Sequence, residues 1–307
     1  MRSLLALLVL SITVLTAVGC GGGANGSGSA DAELTAVATT TQLGDMVDEV
    51  GGDRVAVEQI LEPNSDPHDY EPRPSDAQAL ADAGVVFQSG GDLDVWLDEL
   101  IESAGSDGEV VDVLDAVRTA VAEDPHWWQD PRNAQQAVEA IRDALVEADP
   151  EGREAYESNA SDYLARLDEL DGAVADCIEQ IPADQRLLVT THDAIGHYAD
   201  RYGLEVVGAL IPSLSTQAQP SLADTDELVD QIEQLDVRAI FPESSLSPEL
   251  EQAVARESGA EVGGALWADT LGPEGSSGAT YVESIESNTK TIVDGLTGGE
   301  GDCSLGS

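Results

Sequence analysis

The chain has 307 residues, of which 60 are acidic and 13 are basic, and its formal net charge is -47. This length predicts two domains, each large enough to bury a core of its own. So acidic a surface repels nucleic acid and anionic lipid, which argues against a nucleic-acid-binding function. The acidity favours cations, or it reflects salt adaptation or a GC-rich coding bias, since Lys290 is the only lysine.

The N-terminus has the pattern of an export signal. Arg2 precedes an apolar run from Leu4 to Val18, which is short for a membrane-spanning helix of about 20 residues. Residues 1–19 are therefore predicted to be a signal peptide. The segment Ala17-Val18-Gly19-Cys20 resembles a lipoprotein cleavage box with Cys20 as the acylated residue, and ordinary secretory cleavage is the alternative. Residues 20–30 then form a lipid-anchored flexible tether, and the mature protein is extracytoplasmic.

In the first half of the mature chain, apolar runs that favour β-strands alternate with helical patterns. We predict strands at 34–40, 55–61, 84–87 and 109–113, and helices at 42–50, from Ser75, at 93–102 and at 131–147. Ser75 and Gln78 have the spacing of a capping box, and Pro131 suits a first helical turn. This alternation predicts a parallel sheet covered by helices.

The pattern changes at residues 151–181, where there is no strand signal. Apolar and aromatic residues recur there at helical spacing, at Tyr156, Tyr163, Leu167, Leu170, Val174 and Ile178. They predict one long helix. An ordinary amphipathic helix is one interpretation, but its position at mid-chain favours a rigid strut between two lobes.

The second half repeats the first scheme. We predict strands at 187–190, 205–210, 239–241 and 261–267, and helices ending near 203 and spanning 224–235, 248–257 and 279–296. The predicted fold class is therefore α/β, with two lobes, each a mostly parallel sheet flanked by helices, joined by one long helix. The predicted boundaries are 31–149 for the N-terminal lobe, 150–182 for the helix and 183–307 for the C-terminal lobe.

Three of the four histidines lie in short polar motifs. His68 and His126 each end an Asp-Pro-His motif, and His192 follows a predicted strand. Proline restricts its own backbone and that of the residue before it, so each Asp-Pro-His motif is a stiff loop that orients an imidazole, the commonest metal ligand in proteins. Asp269 also follows a predicted strand, and ligands bind at the carboxyl ends of parallel strands. We therefore predict that these four side chains meet at one metal ion between the lobes.

Three imidazoles and one carboxylate form a closed ligand set that suits Zn²⁺. Carboxylates could orient the imidazoles from behind, and the candidates are Glu243, Asp66, Asp124 and Asp193, with a solvated loop acid as the alternative for each. His197 is predicted to be a packing or surface residue, because five helical residues turn it about 140° away from His192.

Two cysteines remain after Cys20, namely Cys177 and Cys303. In an extracytoplasmic protein such a pair can form a disulfide, and two unrelated thiols are the alternative. A disulfide would attach the C-terminus to the long helix.

Several segments together carry a family resemblance, in order along the mature chain. They are Asp66 to Pro72, Asp124 to Pro131, Thr191 to Ala194, Arg201 to Leu204, Ile240 to Glu243 and Leu266 to Gly272. These segments resemble the zinc/manganese solute-binding lipoproteins of ABC importers. The resemblance implies two α/β lobes joined by a long helix with the metal between them, and it matches His68, His126, His192 and Asp269 to the family's ligands. The third ligand is histidine in many zinc proteins and glutamate in many manganese proteins, so His192 favours zinc.

We predict that the protein is a monomeric zinc receptor that delivers its ion to a membrane permease. We predict no catalytic residues in this receptor. A manganese receptor is the alternative within the same class. From other classes, a zinc hydrolase would need an open coordination position and a general base, and no His-Glu-x-x-His motif is present. A surface adhesin would bind no metal.

Overall fold

The computed structural model describes residues 32–117 and 124–305. The predicted signal peptide, Cys20 and the tether lie outside these residues. In the described part of the chain, no helix combines the length and the apolar character needed to cross a membrane.

Two four-stranded sheets, both parallel throughout, form the centres of two lobes. The strands of the first sheet are β1 (Leu34–Ala38), β2 (Val55–Gln59), β3 (Val85–Gln88) and β4 (Glu109–Asp112), in the order β2-β1-β3-β4. Those of the second sheet are β5 (Leu187–His192), β6 (Glu205–Ile211), β7 (Ala239–Phe241) and β8 (Glu261–Val262), in the order β6-β5-β7-β8. Parallel sheets need apolar residues on both faces, and the central strands supply them. The predicted fold class is confirmed.

Helices cover both sheets. The N-terminal lobe contains α1 (Thr41–Gly51), α2 (Pro74–Asp82), α3 (Leu97–Ala104), α4 (Val113–Ala116) and α5 (Pro131–Ala148). The connecting helix is α6 (Arg153–Ile178), and the C-terminal lobe contains α7 (Gly196–Tyr202), α8 (Leu222–Leu235), α9 (Glu249–Ser258) and α10 (Tyr281–Thr297). Pro131 occupies the first turn of α5 as predicted, and the Asp130 carboxylate caps that helix by accepting from the Arg132 N–H at 2.8 Å.

The predicted capping box at Ser75 and Gln78 is wrong. Helix α2 begins one residue earlier, at Pro74, and its cap is formed by Asp76, whose carboxylate accepts a hydrogen bond from the Arg73 N–H at 2.6 Å. Proline fits the first helical position because its missing N–H has no helical partner there. The carboxylate of Asp76 then satisfies the free N–H that precedes it.

Two other elements are shorter than predicted. Helix α3 starts at Leu97 because Asp94 folds the preceding segment into a turn, its carboxylate accepting from the Ser89 and Gly90 N–H groups. Strand β8 ends at Val262, and the next residue, Gly263, still donates its N–H to the Ile240 carbonyl oxygen at 2.8 Å. Gly263 lies so close to the Phe241 ring that a Cβ there would be 2.7 Å from it. The chain returns to the sheet only at a single bridge between Glu243 and Leu266.

Helix α6 confirms the predicted long helix. It has 26 residues, which corresponds to about 39 Å. Its Asn159 amide donates to the Val50 carbonyl oxygen of α1 at 3.0 Å, and its buried Asp171 accepts from Arg201 of α7. Because the same helix is bonded to elements of both lobes, it limits how far they can rotate. The structure joins Cys177, in its last turn, to Cys303 in a disulfide with the Cα atoms 5.1 Å apart.

The chain length alone predicts a separate apolar core for each lobe. The observed core does not divide in this way. The largest cluster is continuous from the N-terminal sheet across the lobe boundary, and it includes Phe87, Trp127, Trp128, Tyr198, Phe241 and Tyr281. Each lobe also has one smaller apolar cluster of its own. The lobes are thus fused on one side by shared apolar packing.

Candidate metal centre

The two Asp-Pro-His motifs share one hydrogen bond. In each motif the aspartate carboxylate accepts a hydrogen bond from the N–H of the histidine two residues later, at 2.9 Å for His68 and 3.0 Å for His126. Such turns are typical of aspartate, and the intervening proline stiffens them. The sequence repeat therefore produces the same aspartate-to-histidine bond twice, although His68 lies within a 3₁₀ turn and His126 directly before one. Each bond fixes the backbone that carries an imidazole.

His192 is the last residue of β5. Strand β5 lies between β6 and β7, at the point where the strand order of the second sheet reverses. Glu243 follows the neighbouring strand β7 and lies at the same edge of the sheet. Side chains at such a reversal point face a crevice outside the carboxyl ends of the strands, which explains why His192 points between the lobes.

Asp269 comes from the second half of the chain but is held by the first. The preceding carbonyl group, that of Ala268, accepts hydrogen bonds from the Trp128 indole at 2.8 Å and from the Gln129 amide at 2.6 Å. The two donors lie two and three residues after His126, and both are fully buried. The segments that carry His126 and Asp269 are therefore locked together across the lobe boundary.

The four predicted ligands meet at one point. The nitrogen and oxygen atoms that His68, His126, His192 and Asp269 offer all lie within 4.8 Å of one another. The Nε2 atom of His126 is 3.4 Å from the Nε2 atoms of both other histidines. The Asp269 carboxylate oxygens lie 3.4 Å, 3.5 Å and 3.2 Å from the Nε2 atoms of His68, His126 and His192.

These distances match the edges of a coordination tetrahedron. Bonds of about 2.0–2.1 Å from zinc to nitrogen or oxygen give edges of about 3.3–3.4 Å between ligand atoms. The five separations between these atoms span 3.2–3.5 Å, with one Asp269 oxygen facing His68 and His192 and the other facing His126. All four ligand atoms lie within 4.8 Å of one another. The donor atoms thus surround a space suited to one small, four-coordinate cation.

The carboxylate of Asp269 also indicates a cation. Asp269 is only 2 % exposed, and neither of its oxygens receives a hydrogen bond from the described part of the chain. A buried carboxylate without donors is unfavourable unless a positive charge compensates it. The nearest groups are the imidazole nitrogens at 3.2–3.5 Å. A proton on His192 supplies the positive charge when no metal is bound, and a metal bound by the same nitrogens would replace it.

Two of the three imidazoles are oriented from behind by carboxylates. The Nδ1 atom of His126 lies 2.7 Å from Asp124, and the Nδ1 atom of His192 lies 2.6 Å from Glu243. These contacts leave each Nε2 atom free for the metal, an arrangement common in metal sites. Of the four carboxylates considered from the sequence, Glu243 and Asp124 therefore have this role.

The other two carboxylates have different positions. The second oxygen of Asp66 accepts a hydrogen bond from the Thr216 hydroxyl at 2.7 Å, so this residue ties its loop to the other lobe. Asp193 is half-buried beside the site, and its burial raises the pKa of its carboxyl group. His197 is a buried packing residue, with its Nε2 atom 3.2 Å from the Asp124 carbonyl oxygen.

The charges of the centre are strongly coupled. Burial opposes a charge on His192, but the carboxylates of Asp269 and Glu243 outweigh it and raise the pKa of this imidazole to about 11. Burial likewise opposes ionisation of Asp269, yet His192 and His126 hold its pKa well below the usual value. Burial raises the pKa of Glu243. Without a metal, therefore, His192 carries a proton that compensates the Asp269 charge.

Sequence reasoning missed the support behind His192. The Thr191 hydroxyl donates to the buried Glu251 carboxylate at 2.6 Å and accepts from the Glu243 N–H at 3.1 Å. It thereby fixes the carboxylate that orients His192. Glu251 lies within α9 in an acid-rich chain, so no local signal distinguishes it from the solvated acids around it.

Comparison with known proteins agrees with this geometry. Residues 36–295 match the model of a family described as ZnuA, the periplasmic component A of a zinc-uptake complex. The chain belongs to the ZnuA family. Its members are solute-binding receptors for metal transport, so this chain is a metal-binding component of an ABC transporter and not an enzyme, as predicted. Such a component works with a membrane permease on the extracytoplasmic side.

Individual ZnuA-family relatives are named for different metals. The chain is 36 % identical over 269 residues to the manganese-binding lipoprotein MntA of Halalkalibacterium halodurans, covering 86 % of this chain and 89 % of the relative. It is 32 % identical over 273 residues to the iron-binding protein YfeA of Yersinia pestis, covering 85 % of each chain. The periplasmic zinc-binding protein TroA of Treponema pallidum superposes with a TM-score of 0.81 at 29 % identity, covering 86 % of this chain and 99 % of TroA.

Proposed function

We propose that this protein is a lipid-anchored zinc receptor in which His68, His126, His192 and Asp269 bind one Zn²⁺ and deliver it to an ABC permease. One observation carries the proposal, namely the convergence of three imidazole nitrogens and the Asp269 carboxylate within 4.8 Å, with nitrogen–oxygen separations of 3.2–3.5 Å. Zinc is the cargo here, so the site has to bind it tightly and also release it.

The composition of the site favours zinc over manganese. Three neutral nitrogen donors and one carboxylate, all buried, suit an ion that accepts four-coordinate geometry. Manganese prefers oxygen ligands and usually a larger number of them. A manganese receptor is the second candidate, because the relative MntA is named for manganese. Affinity alone does not distinguish the two, since zinc is the tighter-binding ion at almost any such site.

The biochemical test is metal content. The metal content of protein purified without chelator is measured by elemental mass spectrometry, and we expect about one zinc ion per chain. Titration of the metal-free protein should change the tryptophan emission, because the Trp128 ring lies 5.5 Å from the His126 ring. Absence of bound metal in both experiments would refute the proposal and favour an adhesin.

The physiological ion needs a cellular test. A strain lacking the gene is grown in medium depleted of either zinc or manganese. A growth defect that only zinc relieves supports the proposal, whereas relief by manganese alone supports the second candidate.

The anchor is tested separately. Cys20→Ser is expected to release the mature protein from the membrane fraction into the soluble fraction without changing its metal content. Retention on the membrane of a Cys20→Ser variant from which the signal peptide has been removed would contradict acylation at Cys20. We further propose that the receptor is monomeric, which light scattering of the soluble variant measures directly.

A further inference from the structure

A short segment of the C-terminal lobe crosses the opening of the cleft. This segment, residues 213–217, follows β6, and we call it the strap. The Thr216 hydroxyl donates to the Asp66 carboxylate at 2.7 Å, and the Gln217 amide donates to the His68 carbonyl oxygen and, at 3.3 Å, to Asp69. The strap therefore bonds to three residues of the loop that carries His68.

Contacts on the other side of the cleft are different in kind. The loop after Asp269 is bonded to the N-terminal lobe through its backbone, with the Asn64 N–H donating to the Leu271 carbonyl oxygen at 2.9 Å and the Leu271 N–H to the Thr41 hydroxyl at 2.8 Å. With the Trp128 and Gln129 contacts to Ala268, these bonds form a largely buried hinge side.

The strap contacts are close to solvent. Gln217 and Asp69 are exposed, and Thr216 and Asp66 are half-buried. Water competes for hydrogen bonds at such positions, so each contributes little and breaks readily. When the lobes separate, the strap contacts are therefore expected to open before those around Asp269.

A cavity lies beside the strap. Its volume is about 540 Å³, and its walls include Asp66, Asp69, Thr216 and Gln217. Thr191, the residue before His192, is also one of its lining residues. Lifting the strap would thus widen the cavity beside the residue next to His192 and would remove the bonds that hold Asp66, His68 and Asp69 to the C-terminal lobe.

We propose that Thr216 and Gln217 are positioning residues for His68, and that their contacts across the cleft set the rate at which the bound ion leaves. This inference rests on the proposed function. The strap holds the His68 loop against the other three ligands, and loss of its hydrogen bonds makes the ion leave faster while the metal-free fold keeps its stability.

The test compares the zinc release rate of matched variants. Zinc-loaded protein is mixed with excess chromophoric chelator in a stopped-flow instrument. The double variant Thr216→Val, Gln217→Ala removes the strap donors, and we expect release about tenfold faster, as follows from losing two to three exposed hydrogen bonds. Thr216→Ser alone retains the hydroxyl and should release at the wild-type rate. Gln219→Ala, an exposed glutamine in the same loop, is the control for general loosening.

A second measurement separates positioning from structural damage. The melting temperature of the metal-free double variant should equal that of the wild type, while its zinc dissociation constant rises by about the same factor as its release rate. If the wild type binds zinc normally and the double variant releases it at the wild-type rate, the proposed role of the strap is wrong and the proposed function still holds. Failure of the wild type to bind Zn²⁺ would overturn the proposed function and the strap with it.

Discussion

The coupling between metal and proton binding predicts a defined pH dependence. In the metal-free protein, burial opposes the charge on His192, but Asp269 and Glu243 raise its pKa to about 11. Metal requires a free Nε2, so that proton leaves when the ion binds, whereas the Nδ1 proton stays on the bond to Glu243. At neutral pH the metal-free site holds the Nε2 proton and the metal-bound site does not. Affinity for zinc therefore rises with pH.

The size of the effect follows from the proton count. One proton displaced per ion gives about a tenfold gain in affinity per pH unit, so the gain between pH 7 and pH 9 is about 100-fold. Asp269 stays ionised over this range because its pKa lies well below the usual value. Isothermal titration calorimetry in buffers of different ionisation enthalpy measures the proton release directly. Binding heats that do not depend on the buffer would refute the reasoning.

Glu243→Gln isolates the contribution of the carboxylate behind His192. The Glu243 oxygen accepts from both the Nδ1 atom and the N–H of His192, at 2.6 Å and 3.1 Å. Glutamine keeps an acceptor but loses the charge that makes the imidazole a stronger donor, so zinc binding should weaken by about 10- to 100-fold. Because the pKa of His192 falls in this variant, its affinity for zinc should also depend less steeply on pH. Glu227→Gln, on the exposed side of α8, is the charge-matched control. Equal affinity of the two variants would exclude the proposed role of Glu243.

Three further predictions concern stability. Zinc at 1,000 times its dissociation constant should stabilise the wild type by about 4 kcal/mol, which raises its melting temperature by roughly 10 °C. This rise should vanish in His126→Ala but persist in His197→Gln. A rise in both variants or in neither would contradict the ligand assignment. Cys303→Ser opens the bond to Cys177, 126 residues away, and should cost about 4 kcal/mol in denaturant unfolding. Unchanged unfolding of the variant, with both thiols free in the wild type, would exclude this bond. Burial raises the pKa of Asp45 to about 6, so the charge on Asp45 destabilises the fold above that pH. Asp45→Asn should therefore stabilise the fold by about 2 kcal/mol at pH 8 but not at pH 3.5. An equal effect at both values would mean that the charge is not the cause.

Much of the site could be predicted because it depends on local structure. Each Asp-Pro-His motif contains its own turn, since the aspartate bonds to the histidine N–H and the proline restricts the backbone between them. His192 ends a strand that apolar residues identify. The residue types that bind zinc were therefore visible, and the alternation of strands and helices placed them at the same edges of two sheets.

Some errors arose because the side chain that caps or contacts an element is not the one the pattern suggests. Helix α2 begins at Pro74 with Asp76 as its cap in place of Ser75, and strand β8 ends at Val262, where Gly263 lies against the Phe241 ring. Likewise, nothing near Glu251 in the sequence indicates that it supports Thr191. Each outcome depends on which side chain lies opposite, and periodicity along the chain does not contain that information.

The sequence by itself determined the two α/β lobes, the long helix between them and the four side chains able to bind a metal, because these follow from apolar periodicity and from motifs closed within a few residues. Only the tertiary structure decided that Asp124 and Glu243, and not Asp66 or Asp193, orient the imidazoles. It also decided that the donors Trp128 and Gln129 hold the Asp269 segment, and that one apolar core crosses the lobe boundary. These features join residues far apart in the chain, and burial selects among many equivalent acids only the few that face a partner.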